Sequence, residues 1–368
     1  MAAAAVHKKE ALVRIARRDS MATWKSIGIR IIAVIISLVV SGFLIYAIIK
    51  ENPLKVYESM WNGAFGSTRR VWITARDTMM LLCIAVGLAP AFKMKFWNIG
   101  AEGQILVGGI ATAACMIYLK SLPAWLLFLC MFVASCIAGA VWGLIPAMFK
   151  AKWNTNETLF TLMMNYVAIQ LTSFFVAQWE NPFGSNTVGV INQGTKEGWF
   201  PPIFGQEYLL NVIIVMALTV GMFIYLKYSK QGYEIAVIGD SQNTARYAGI
   251  SVRKVFVRTM LISGAICGLS GFLAVSGASH TISTSTAGGR GFTAIIVAWL
   301  AKFNTFTMIA ISVLIVFLEK GAIEIASKYN LNDYVSSMIT GIILFFILGS
   351  EFFINYRLIF RSKSKEVA

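Results

Sequence analysis

Asn98, Glu102 and Gln104 stand within seven residues of one another in an otherwise apolar neighbourhood, the stretch LAPAFKMKFWNIGAEGQILVGG at residues 88–109. Two amides and a carboxyl offer hydrogen bonds to a polar solute; they do not form a nucleophile and base. Pro90, Gly100, Gly103, Gly108 and Gly109 share the stretch. In lipid, each backbone group freed by a break in a helix costs several kcal/mol unless protein or a water-filled cavity receives it. The stretch therefore reads as a helix break lining a polar pathway, with Asn98 as N-cap of a following half-helix whose free N–H groups point into that pathway. An ordinary cytoplasmic turn between two spanning helices, with glycines for close packing, fits the same residues. A second polar pair, Glu157 and Asn165, lies eight residues apart, about 80° around a helix, and can share a broad face. Such residues either mark a pathway or make an interhelical hydrogen bond.

No catalytic residue emerges. His7 and His280 are the two histidines, and neither has a carboxylate or nucleophile beside it in sequence. Cys83, Cys115, Cys130, Cys136 and Cys267 lie inside apolar runs without metal-ligand spacing, so they read as small buried hydrophobes, and neither a metal nor a cofactor is expected.

The elements that must position the polar residues are membrane helices. The chain has 368 residues, 57% of them hydrophobic and 13% charged, too apolar for a soluble protein of this size. Apolar stretches that read as bilayer crossings fall at 28–49, 71–92, 104–119, 123–149, 158–178, 208–226, 255–276, 291–301, 306–325 and 334–353, of which 291–301 is short. The expected fold is all-α: a polytopic membrane protein of about ten transmembrane helices, with a broken or re-entrant segment near 90–104. Its expected domains are a basic cytoplasmic tail at 1–27, without a cleavage site after the first span, a transmembrane domain at 28–355 and a cytoplasmic tail at 356–368.

The net charge of +15 would suit nucleic acid in a soluble protein. Here the lysines and arginines sit between spans, where they set orientation, and no nucleic-acid partner is expected. Lys93, Lys95, Lys150, Lys152, the basic residues of 227–254, Lys302 and the basic C-terminus fall on one side. By the positive-inside rule that side is cytoplasmic, with both termini there and 179–207 external. Lys50, Lys55, Arg69 and Arg70 are the exception. Between Asp240 and Gly249, residues 242–247 can form a short amphipathic helix. The segment 227–254 reads equally as a solvated loop near anionic lipid or as a rigid knob offered to a soluble motor. No Gly-rich phosphate loop is present, so the chain itself is not expected to split ATP.

Three runs carry a resemblance: NIGAEGQILVGG at 98–109, NETLFTLMMNYVA at 156–168, and TARYAGISVRK at 244–254 followed by SGAICGLSGFLA at 263–274. Together they resemble the permease subunits of bacterial ABC importers of the simple sugar/nucleoside (branched-chain amino acid-like) family, and look most like the larger, guanosine-type nucleoside permeases. The resemblance spans about 88–349.

It implies a translocation pathway for a nucleoside in the bacterial cytoplasmic membrane. It also implies a separate ABC ATPase, a second similar permease and an extracytoplasmic substrate-binding lipoprotein as partners, besides membrane lipid. Thr244, Ala245, Arg246, Tyr247, Ala248 and Gly249 become the coupling helix onto the ATPase. A nucleoside asks for amides and aromatic faces rather than net charge. Asn98, Gln104 and Asn165, with Glu102 beside them, match the first requirement; Phe96, Trp97 and Trp299 match the second. A simple sugar such as ribose, or a branched-chain amino acid, suits the same architecture. An ion-coupled secondary transporter would need intramembrane carboxylates, for which Asp77, Glu102 and Glu319 are the candidates.

Overall fold

The computed structural model describes residues 13–17 and 23–360; the expected tails lie largely outside them, as does His7. In chain order the elements are strand β1 (Val13–Arg17) and helices α1 (Thr23–Ile49), α2 (Pro53–Phe65), α3 (Thr68–Lys93), α4 (Ala101–Tyr118), α5 (Ala124–Trp153), α6 (Glu157–Gln178), α7 (Leu209–Tyr228), α8 (Lys230–Asp240) and α9 (Gln242–Tyr247). There follow α10 (Val252–Ala274, continued by a π-turn, Val275–Ser279), α11 (Arg290–Leu300), α12 (Thr305–Lys328), α13 (Asp333–Asn355) and strand β2 (Tyr356–Phe360). The fold is helical as expected, with one addition: β1 and β2 pair antiparallel, Val13 opposite Phe360.

Seven described helices have the length and apolarity of a membrane span: α3, α4, α5, α6, α7, α10 and α12. They account for seven of the ten expected crossings. The segments 28–49 and 334–353 fall within helices α1 and α13. The expected crossing at 291–301 is α11, whose 11 residues reach about 16 Å, roughly half a bilayer core.

The chain divides into two compact units, residues 1–63 with 318–368, and residues 64–317. In the first, α1 packs on α13, and Lys328 Nζ donates to Ser59 Oγ at 2.7 Å. Helix α2 was not foreseen: Lys50, Lys55 and Glu58 made its segment look like a loop, yet Val56 and Met60, four apart on one face, are both buried.

In the second unit α10 is the central helix, packed against α3, α4 and α5. Its span is 83% buried, whereas the spans of α5, α6 and α7 are 22–28% buried and turn apolar faces outward. Glycine makes the central packing possible. A Cβ on Gly139 of α5 would stand 2.2 Å from the Gly264 carbonyl oxygen of α10, and one on Gly108 of α4 would stand 2.3 Å from that of Gly268. Helices without a hydrophobic drive to associate gain by such close backbone approach.

Local signals start the elements around the site. Asn156 caps α6 by accepting from the N–H of Thr158 and Leu159, and Ser229 caps α8 through Gly232. Helix α9 occupies 242–247 as expected; its cap is Ser241, which accepts from Thr244, and its terminator Gly249 has φ +76°. Helix α8 was not foreseen. Gly239 lets its end approach the end of α3, where a Cβ would be 2.1 Å from the Lys93 carbonyl oxygen.

Candidate functional site

The chain is non-helical between the end of α3 and the start of α4, from Met94 to Gly100. What holds this break is a set of buried amides. Asn98 is fully buried; its Oδ1 accepts from Gly100 N–H at 3.1 Å, and its Nδ2 donates to Ser263 Oγ of α10 at 3.3 Å. Asn98 and Gln104 also exchange amide hydrogen bonds, both at 3.4 Å. From α6, Asn165 Oδ1 accepts from Gly103 N–H and Nδ2 donates to the Ile99 carbonyl, both at 2.9 Å. One turn earlier, Thr161 Oγ1 accepts from Ile99 N–H at 3.2 Å. Freed backbone groups thus find protein partners, as a break among apolar helices demands.

Two expectations need correcting. The N-cap of α4 is Gly100, not Asn98, because Asn98 lies two residues too early and spends its oxygen on Gly100 and Gln104. The cap comes from another helix instead: Asn165 takes the Gly103 N–H that was expected to face a pathway. Asn165 therefore makes the interhelical hydrogen bond, whereas Glu157 pairs with Lys150 at 2.9 Å.

Glu102 has a different partner. One carboxylate oxygen accepts from Gly289 N–H at 2.7 Å and the other from Gly291 N–H at 2.8 Å. These groups open α11, so a buried anion sits at the positive end of that short helix. Beside it is a set of charges that motif reading did not assemble: Asp77 of α3 lies 2.9 Å from Arg76 and 3.7 Å from Arg290, the first residue of α11. The Gly-Gly-Arg-Gly run at 288–291 was the available signal.

The aromatic candidates separate. Phe96 is buried edge-on against Phe256. Trp97 is 41% exposed and Trp299, near the end of α11, 47%. Their rings stack at 5.2 Å and 25°, with Phe92 edge-on to Trp97 and Phe303 edge-on to Trp299.

Of the six residues expected to couple to an ATPase, Thr244, Arg246, Tyr247, Ala248 and Gly249 are exposed, Tyr247 by 93%. Ala245 is fully buried: it fastens α9 to the rest of the fold, and its methyl group cannot touch a partner. Arg258 of α10 ties α8 down through Glu234 at 2.9 Å.

At the opposite end of α10, the irregular segment 179–208 packs on the turn after the π-turn. Trp199 stacks on His280 at 3.8 Å and 6°, and Ile191 N–H donates to the His280 carbonyl at 2.8 Å. Burial lowers the His280 pKa below the usual histidine value; Arg76 acts in the same direction, and Glu207 and a backbone hydrogen bond at Ser276 oppose it. Among the described residues no cluster of His, Cys, Asp and Glu could hold a metal ion. The arrangement offers hydrogen bonds and aromatic faces rather than covalent chemistry.

The family described as "Branched-chain amino acid transport system / permease component" matches residues 72–348. Among curated proteins, the chain is 28% identical over 362 residues to a glucose ABC transporter permease of Haloferax volcanii, covering 92% of each chain. It is 29% identical to the guanosine ABC transporter permease NupP of Bacillus subtilis, covering 87% of this chain and 92% of that one. It is 27% identical to the nucleoside ABC transporter permease NupB of Lactococcus lactis, covering 84% and 88%. With seven described helices long and apolar enough to cross a membrane, and a family match over three quarters of its length, the chain belongs to the permease components of the branched-chain amino acid transport system type.

Proposed function

We propose that the chain is a transmembrane subunit of an ABC importer that forms the translocation pathway for a nucleoside. The observation that carries the substrate class is the half-exposed stack of Trp97 and Trp299 beside the buried amide cluster. A nucleobase presents a flat π-face to such rings, and its ribose takes the hydrogen bonds that remaining amides and backbone groups can give. Asn98, Glu102, Gln104, Asn165, Phe96 and Trp97 shape this pathway, the buried ones by holding the break and Trp97 by contact. The guanosine and nucleoside permeases among the relatives support the reading; the glucose permease supports a second one, a simple sugar.

In this reading the membrane domain spans 28–355 with ten crossings, of which the segment 291–301, helix α11, is the short one. Asn98 bonds Ser263, the middle residue of α10, which supports a re-entrant break within the bilayer. The pairing of β1 with β2 supports both termini on one face, the cytoplasmic one by the charge asymmetry. The exposed part of α9 docks on a separate ATPase, and a second permease and a substrate-binding lipoprotein complete the importer in a bacterial cytoplasmic membrane. An ion-coupled transporter is disfavoured, because Asp77 and Glu102 are already engaged by Arg76, Arg290 and the N–H groups of α11.

The test is uptake of radiolabelled guanosine, ribose, glucose and leucine by cells carrying the complete importer. Guanosine uptake that depends on ATP, falls at least tenfold in Trp97→Ala and recovers in Trp97→Phe is the expected result. Uptake of a sugar alone, insensitive to the ring at 97, would transfer the assignment to the second reading.

A further inference from the structure

Where α5 turns into α6, a half-open cavity of about 560 Å³ is lined by Lys150, Lys152, Arg246 and Arg253, with Asn154 and Phe256 among its other lining residues. Among the described residues no Asp or Glu lines it. Lys150 is paired with Glu157, but among the described residues Lys152, Arg246 and Arg253 enter no ion pair. Three uncompensated cations round one hollow repel each other, and a bound anion relieves that repulsion.

A second hollow begins two residues further along the chain. Leu159, Phe160, Met163, Met164 and Val167 of α6, with its cap Asn156, form an apolar groove of about 340 Å³ along a helix of membrane-spanning length. Trp153, next in sequence to Lys152 of the first hollow, is 57% exposed, with Lys152 Nζ 4.6 Å from its ring centre. An amphipathic ring at this level is characteristic of the headgroup layer. Basic pockets between spanning helices on the cytoplasmic side accept anionic headgroups.

We propose that this pair of hollows is a binding site for one anionic phospholipid, its phosphate among Lys152, Arg246 and Arg253 and an acyl chain along Leu159, Met163 and Val167. The apolar groove decides for a lipid over a free phosphate or an acidic peptide, neither of which would use it. Because Arg246 belongs to α9, the lipid also ties the exposed helix to the membrane end of α5. The site rests on the proposed membrane embedding but not on the transported substrate.

The experiment is quenching of tryptophan fluorescence in the full-length chain, reconstituted with increasing mole fractions of brominated phosphatidylglycerol or brominated phosphatidylcholine. In the wild type, phosphatidylglycerol should quench a component at a mole fraction at least fivefold lower than phosphatidylcholine does. That component should vanish in Trp153→Phe, and its lipid preference should vanish in the double variant Lys152→Ala/Arg253→Ala with the circular dichroism unchanged. Lys152→Glu, a surface change that leaves the fold intact, should remove the preference by itself. Equal quenching by the two lipids in the wild type would overturn the site, as would a preference that survives both basic-residue variants. Displacement of the lipid by millimolar inorganic phosphate or by a polyglutamate peptide would overturn it too, assigning the cavity to a free anion or an acidic partner segment. Because the readout needs neither uptake nor ATP, its failure is separate from failure of the importer reading.

Discussion

The carboxylate of Glu102 grips the start of α11 through the N–H of Gly291 at 2.8 Å, joining two elements 189 positions apart in sequence. The contact leaves no room for change. A Cβ on Gly291 would come within 2.6 Å of Glu102 N and 2.7 Å of its Oε2. Gly291→Ala should therefore cost about 1–3 kcal/mol by overpacking and lower the melting temperature of the purified chain. Glu102→Gln should keep one acceptor, lose the charge at the helix end and cost about 1–2 kcal/mol. A melting temperature unchanged in both variants would show that the α4–α11 contact does not hold the fold.

The central glycines make a steeper demand. Around a Cβ at Gly139 the nearest atoms are all backbone of α10, the Gly264 carbonyl oxygen at 2.2 Å, Gly268 Cα at 2.6 Å and Gly268 N at 2.8 Å, none of which can rotate away. Gly139→Ala should cost 3 kcal/mol or more, about the upper range for overpacking, and should reduce the folded yield in membranes. Gly221, inside α7 with nothing within 4 Å of its Cβ position, provides the control, since Gly221→Ala should lower neither yield nor melting temperature and gains helix propensity.

Sequence showed the helical, membrane-bound character of the chain because apolar length is a local property, and it showed α9 because Asp240 and Gly249 bracket it, although the residue that caps it is Ser241. It also marked out the stretch that holds the non-helical segment 94–100, since a proline, amides and glycines inside apolar runs are anomalous wherever they occur. What sequence could not give was which partner each amide would choose. Asn165 capping Gly103 and Glu102 capping α11 depend on contacts 62 and 189 residues apart, which no periodicity encodes. Helix α2 was hidden for a related reason: its charged residues are as frequent as those of a loop, and only the burial of Val56 and Met60 reveals its inner face.

His280 gives a pH dependence with a defined sign. Its pKa in the folded chain is lowered, first by burial against Trp199, so folding favours the neutral ring. The stabilisation is fully present above the unfolded value of about 6.5 and is lost as pH falls through the lower folded value. Melting temperature should therefore decline on acidification below pH 6.5, and His280→Asn should flatten the decline. The charges opposed to one another here, Glu207 and Arg76, should each shift the midpoint when neutralised: Glu207→Gln to lower pH and Arg76→Gln to higher pH.

The two faces of α9 allow docking and folding to be separated. Tyr247 is 93% exposed and makes no aromatic contact among the described residues, whereas Ala245 is fully buried. Tyrosine and arginine are the residue types most often responsible for binding energy at interfaces. If α9 docks on the ATPase, Tyr247→Ala should weaken its recovery in a detergent pull-down at least tenfold, about 1.4 kcal/mol, with the melting temperature of the permease unchanged. Ala245→Glu should act in the opposite manner: an unpaired carboxylate forced into a buried position destabilises the chain itself, so melting temperature and folded yield should fall before any question of docking arises. Gly249→Ala lies between them, since its Cβ meets nothing within 4 Å but its φ of +76° strains any side chain. A pull-down in which Tyr247→Ala recovers the ATPase as well as the wild type, with uptake also intact, would mean that the exposed face of α9 is solvated surface and that coupling runs through another part of the cytoplasmic side.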